Sequence, residues 1–103
     1  MAEYVLVLTT FPVDGADTLA IALVEERLAA CVNVLEPMRS VYRWNGRVET
    51  SIERQVIIKA AAAKVTALEV RVKQLHPYDL PEFIVLGIDS GSHAYLAWLG
   101  ESS

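Results

Sequence analysis

The chain has 103 residues, which reads as one domain over 1–103, and 53% of them are hydrophobic. A net charge of −4, from 9 basic and 13 acidic residues, leaves no basic footprint for neutralising phosphates and argues against nucleic-acid binding. No apolar run approaches the roughly 20 residues that a membrane-spanning helix needs, so no membrane role is expected.

Tyr4–Thr10 is a short continuous apolar run, the pattern of a central strand. Phe11-Pro12 should end it, because proline donates nothing to a strand ladder. No basic region precedes Val5–Leu8, so a signal peptide is not expected. Asp14 is placed to cap the next helix, and Asp17 falls in its first turn, where the helix dipole favours an acid. That helix is predicted over Asp17–Ala30, with Ile21, Val24 and Leu28 along one face. Cys31–Leu35 is β-branched and apolar, a second strand that Pro37 interrupts. The single Cys31 cannot form a disulfide within the chain, which fits a reducing, cytoplasmic location.

Met38–Trp44 and Arg47–Ala60 flank Asn45-Gly46, the strongest short signal for a type I′ hairpin turn, in which both central residues need positive φ. In the second arm Val48, Ile52, Val56, Ile58 and Ala60 point one way, and Glu49, Ser51, Glu53, Gln55 and Lys59 the other. Arg54 and Ile57 each break their side, which predicts a bulge between them. A flat strand of this length spans about 46 Å, against a radius of gyration of about 13 Å for a domain of this size. It should bend at the bulge, and its far part should pair with another chain. An oligomer is therefore expected.

Ala61–Leu75 is predicted helical, with Val65, Leu68, Val72 and Leu75 forming one apolar stripe behind a poorly capped start. Pro77 ends it by disfavouring helical geometry at His76. Glu82–Ile88 is the last strand, and Gly91-Ser92 opens a short helix, His93–Leu99. The order β-α-β-β-α-β plus a terminal helix is the ferredoxin-like α+β arrangement. It implies an antiparallel sheet with an extended hairpin and two helices on one face. The other face needs cover, which hairpins paired between subunits would supply.

Chemistry is harder to read. One Cys and two His are too few soft ligands for a closed zinc site within one chain. No nucleophile motif and no glycine-rich phosphate loop occurs, so the sequence names no reaction. His76, just past a helix end, reads as a partner of free helix carbonyls, as a metal ligand or as a pocket donor. Cys31 is a core residue or a cleft residue; Lys59 is a solvated lysine or a cation reaching a cleft for a small anion. Glu82, after Pro81, is an exposed carboxylate or a cleft residue. Tyr42 and Trp44, beside the turn, are expected at a subunit interface, with stacking on a ligand as the alternative, and Trp98 at the edge of the core.

Five motifs carry a resemblance over most of the chain. They are Leu28-Ala29-Ala30-Cys31-Val32-Asn33; Ser40-x-Tyr42-x-Trp44-x-Gly46; Lys59; His76-Pro77-Tyr78-x-x-Pro81-Glu82; and Tyr95-Leu96-x-Trp98-Leu99. In order and spacing they resemble the CutA divalent-cation tolerance family. The resemblance implies a ferredoxin-like fold similar to the PII signalling proteins and a homotrimer whose hairpins pair across subunits. It also implies a non-catalytic role in tolerance of divalent metals, especially copper, or alternatively a PII-like signalling role with a small anion at subunit clefts. The family's copper ligands would fall on Thr9, Leu75 and His76, of which only His76 keeps a metal donor. The cleft expected near Cys31, Lys59, His76, Tyr78 and Glu82 is the site to inspect, with copper or another divalent metal as the implied cofactor.

Overall fold

The computed structural model describes residues 2–103. Strand β1 (Tyr4–Pro12) is followed by helix α1 (Ala16–Glu25), then β2 (Cys31–Val34), β3 (Met38–Trp44) and β4 (Arg47–Ala61). A single 3-10 turn, Ala62–Lys64, leads into α2 (Val65–Leu75), and β5 (Ile84–Gly87) and α3 (His93–Ser102) complete the chain. The sheet runs β2-β4-β1-β5, with β3 also on β4, and every pairing is antiparallel. This is the expected ferredoxin-like α+β topology.

Alternation decides the core. Val5, Val7 and Thr9 on β1 and Val56, Ile58 and Ala60 on β4 share one face and are buried. Leu19 and Leu23 of α1 and Leu68 and Val72 of α2 close over them. Each large aliphatic side chain enclosed this way contributes about 1.5–3 kcal/mol. Between the helices, Arg71 grips both carboxylate oxygens of Glu26 at 2.8 and 3.0 Å. An exposed pair of this kind adds little to stability.

Several boundaries differ from the sequence reading. β1 runs on through Phe11 and Pro12, which pair with Arg54 and Glu53. β5 reaches only Leu8, so Pro12 lies where one edge of β1 is free and its missing N–H is tolerated. The residue before α1 is Gly15, not Asp14; it has φ +102°, and an added Cβ would stand 3.1 Å from the Phe11 ring. Conformation and space both demand glycine there. α1 stops at Glu25, five residues short of Ala30. Leu28 N–H bonds Leu23 O at 3.0 Å and Arg27 N–H bonds Val24 O at 3.0 Å, the paired bonds of a Schellman stop. Arg27 takes the left-handed position with φ 60°. Glycine usually marks that position, so an arginine hides it from the sequence.

The bulge lies on the other strand. β2 ends by pairing Val34 with Val56, and β3 begins by pairing Met38 with Glu53. The β2–β3 side thus advances four residues while β4 advances three, so the extra residue lies in 35–37. Arg54 Nε donates to Leu35 O at 2.6 Å, which explains an arginine on the apolar parity. Ile57 is equally regular, because its face also carries Leu8 and Ile84, paired with each other.

β4 stays unbroken for 15 residues, and the molecule measures 44 × 25 × 24 Å. Asn45 and Gly46 have φ 51° and 76°, as a type I′ turn requires. The hairpin projects past the helices and leaves Val41, Val48 and Ile52 exposed at 62%, 70% and 58%. Along 47–52, β4 has β3 on one edge and, among the described residues, nothing on the other.

Candidate functional site

Past Leu8, β5 no longer flanks β1, and side chains of 76–82 take over its edge. Pro77 forces His76 out of the helix into extended geometry, φ −85° and ψ 133°. The ring then lies 2.6 Å, through Nε2, from Thr10 O. Tyr78 N–H donates to Nδ1 at 3.2 Å. With Nδ1 accepting, the proton belongs on Nε2, which donates to Thr10 O. His76 is buried, with its ring centroid 4.7 Å from those of both Phe11 and Tyr78.

Next to it, Gln55 Nε2 donates to Thr9 O at 2.7 Å and to Glu82 Oε2 at 3.1 Å. The Tyr78 hydroxyl donates to Glu53 Oε1 at 3.2 Å. Glu53 is only 6% exposed. Burial, and then the Glu53 carboxylate, push the Tyr78 phenol up to about 12. These groups floor a cleft of about 700 Å³ between the hairpin and the 77–82 segment. Tyr42 and Trp44 reach into its wall, half-exposed at 43% and 46%.

The residues singled out from the sequence therefore divide. Tyr78 and Glu82 line the cleft, and His76 supports it from behind. Cys31 and Lys59 sit directly opposite each other in the β2–β4 register, four residues along β4 from Gln55, and do not line it. Lys59 Nζ lies 5.8 Å from the centroid of the Tyr95 ring on α3. Glu53, Gln55, Thr10 and Asp79 line the cleft without having been singled out. The signal for two of them was present: Glu53 and Gln55 lie on the polar parity that also drew attention to Lys59.

The three positions implied for copper do not fit that ion. Thr9 is wholly enclosed, and its hydroxyl points to Thr10 O at 3.4 Å. Leu75 packs against the core. Both nitrogens of His76 are engaged within the chain. Soft copper sites require thiolate or imidazole donors, and no free one remains at these positions. Among the described residues, no three His, Cys, Asp or Glu side chains are grouped so as to hold a metal ion. Nor is any helix among them long and apolar enough to cross a membrane.

Comparison with known proteins gives consistent matches. The family model described as CutA1 divalent ion tolerance protein matches residues 5–102. The divalent-cation tolerance protein CutA of Pectobacterium atrosepticum is 44% identical over 103 residues, 99% of this chain and 94% of that one. A solved divalent cation tolerance protein from Thermus thermophilus superposes with a TM-score of 0.94 at 44% identity, covering 97% of this chain and 98% of that one. CutA from Archaeoglobus fulgidus, described as periplasmic, superposes with a TM-score of 0.92 at 31% identity over 96% and 97% of the two chains.

Proposed function

The chain belongs to the CutA1 divalent ion tolerance protein family, and on that premise we propose that it serves divalent-cation tolerance as a non-catalytic homotrimer. One observation carries the assembly: the hairpin exposes Val41, Val48 and Ile52 and leaves an open strand edge beside them. Exposed apolar surface next to unpaired backbone is what a second chain covers. Tyr42 and Trp44 meet a neighbouring subunit in this reading. The lone Cys31 supports a reducing, cytoplasmic location.

Tolerance here does not run through a copper ion held by His76, because that ring already serves Thr10 O and Tyr78 N–H. The chain acts in metal response through its assembled clefts rather than by capturing copper at the family positions. A PII-like anion gains no support from the cleft, since no Lys or Arg among the described residues lines it.

Two measurements test this. Sedimentation equilibrium should give three times the chain mass; a folded monomer would refute the assembly. Copper and zinc titrated calorimetrically into metal-free wild type and His76→Ala should give the same small heats. A stoichiometric copper heat that vanishes in His76→Ala would place copper on His76.

A further inference from the structure

We infer that the cleft at the base of the hairpin binds a small organic cation carrying a primary ammonium group. The central observation is Glu53. Its side chain is nine-tenths buried, yet it receives one hydrogen bond, from the neutral Tyr78 hydroxyl to Oε1. The salt bridges among the described residues join Arg71 to Glu26 and Lys73 to Glu69, and none reaches Glu53. No fully buried side-chain oxygen or nitrogen among the described residues lacks a hydrogen-bond partner, so the second Glu53 oxygen touches solvent, and a carboxylate otherwise enclosed by protein gains from a cation placed there. This one lines a cleft, so the cation can come from outside.

The rest of the wall suits the same guest. Asp79 and Glu82 add negative charge, and no basic side chain among the described residues lines the cleft. Tyr42, Trp44 and Tyr78 bring aromatic rings, whose faces attract cations. The volume of about 700 Å³ lies in the range of clefts that take small organic molecules, roughly 300–1,000 Å³. A bare metal ion would leave most of it empty, and the carboxylates are not grouped to hold one. A primary ammonium offers three N–H donors, which match the free lone pairs of Glu53 and the hydroxyl oxygens of Ser40 and Ser51. A quaternary ammonium offers none. Because Tyr42 and Trp44 are the side chains proposed to meet a neighbour, the site lies at a subunit boundary. The inference goes beyond the metal-tolerance reading; only its place at a subunit boundary rests on the proposed trimer, which sedimentation tests separately.

The test titrates 1,4-diaminobutane into the 103-residue protein by calorimetry at low salt, following tryptophan fluorescence in parallel. Saturable binding is expected, with quenching that Trp44→Phe removes. Glu53→Gln, which keeps the acceptor for Tyr78, should weaken it at least tenfold. Glu82→Gln should weaken it severalfold, and Glu25→Gln on the outer end of α1 should leave it unchanged. Choline should bind more weakly, and the neutral isostere 1,4-butanediol not at all. Circular dichroism shows that each variant is folded, and Glu82→Gln carries the test should Glu53→Gln unfold. The inference is overturned by absence of saturable binding at millimolar diamine, which is also the outcome if a neighbouring subunit fills the cleft. Equal binding by the two cleft variants and wild type, or equal binding of butanediol, overturns it as well.

Discussion

Replacing His76 by alanine removes two hydrogen bonds and two ring contacts at once, and the loss can be worked out from the geometry. Thr10 O loses its donor at 2.6 Å, and Tyr78 N–H loses its acceptor at 3.2 Å. Leaving a buried backbone group without a partner costs about 1–3 kcal/mol. The Thr10 carbonyl should feel this more than the better-exposed Tyr78 amide. The ring also packs between Phe11 and Tyr78 at 4.7 Å on each side, and aromatic contacts of this kind add about 0.5–1.5 kcal/mol. Together these give a destabilisation of about 3 kcal/mol, a large part of the 5–15 kcal/mol typical of a domain. His76→Phe keeps the ring and loses both hydrogen bonds, so it should recover only about 1 kcal/mol of the loss. Urea unfolding at one fixed protein concentration is the assay, because assembly makes apparent stability concentration-dependent. A His76→Ala midpoint within about 0.5 kcal/mol of wild type would refute a structural role for the ring.

Three further outcomes are expected. Tyr78 holds its proton up to about 12, above the usual tyrosine value of about 10. A group whose folded-state value is raised contributes stability that is intact below pH 10 and lost as pH rises through about 12. One of the four tyrosines should ionise late in an ultraviolet titration, and Tyr78→Phe should flatten the stability loss over that window; simultaneous ionisation of all four would contradict the environment described. Arg27→Gly relieves a left-handed residue at the end of α1 and should raise stability by about 0.5–1 kcal/mol, read from the urea midpoint. A lower midpoint would mean that the weak 3.5 Å contact from Arg27 to Glu101 O matters more than backbone strain. Trp44→Ala should shift sedimentation at low concentration toward smaller species while the circular dichroism stays that of the folded chain; an unchanged profile would remove Trp44 from the interface.

Where local chemistry is strong, sequence and structure agree. Asn45-Gly46 makes the hairpin because only such a pair accepts two positive φ angles cheaply. Pro77 ends α2 at Leu75 with His76 extended, and Ser92 Oγ accepts from Tyr95 N–H at the start of α3. The alternation of β4 orders the sheet. Where a residue breaks the usual rule, the sequence misleads: Arg27 terminates a helix that glycine would have marked. Arg54 suggests a bulge in β4 because its partner, Leu35 O, lies in the link between β2 and β3, where the extra residue sits.

Sequence alone therefore determined the element order, the ferredoxin-like topology, the hairpin and the family resemblance, since each rests on patterns within a few residues or on motifs in series. Only tertiary structure decided what His76, Glu53 and Lys59 do. Lys59 and Gln55 share one face of one strand, yet the distance between them and the arrival of α3 send them to different neighbours. His76 carries a donor and an acceptor whatever surrounds it; the free edge of β1 and the chain turned by Pro77 are what occupy both. The role of a polar side chain is set by which groups the fold brings within hydrogen-bond distance, and those groups lie 66 residues away in sequence for His76 and Thr10.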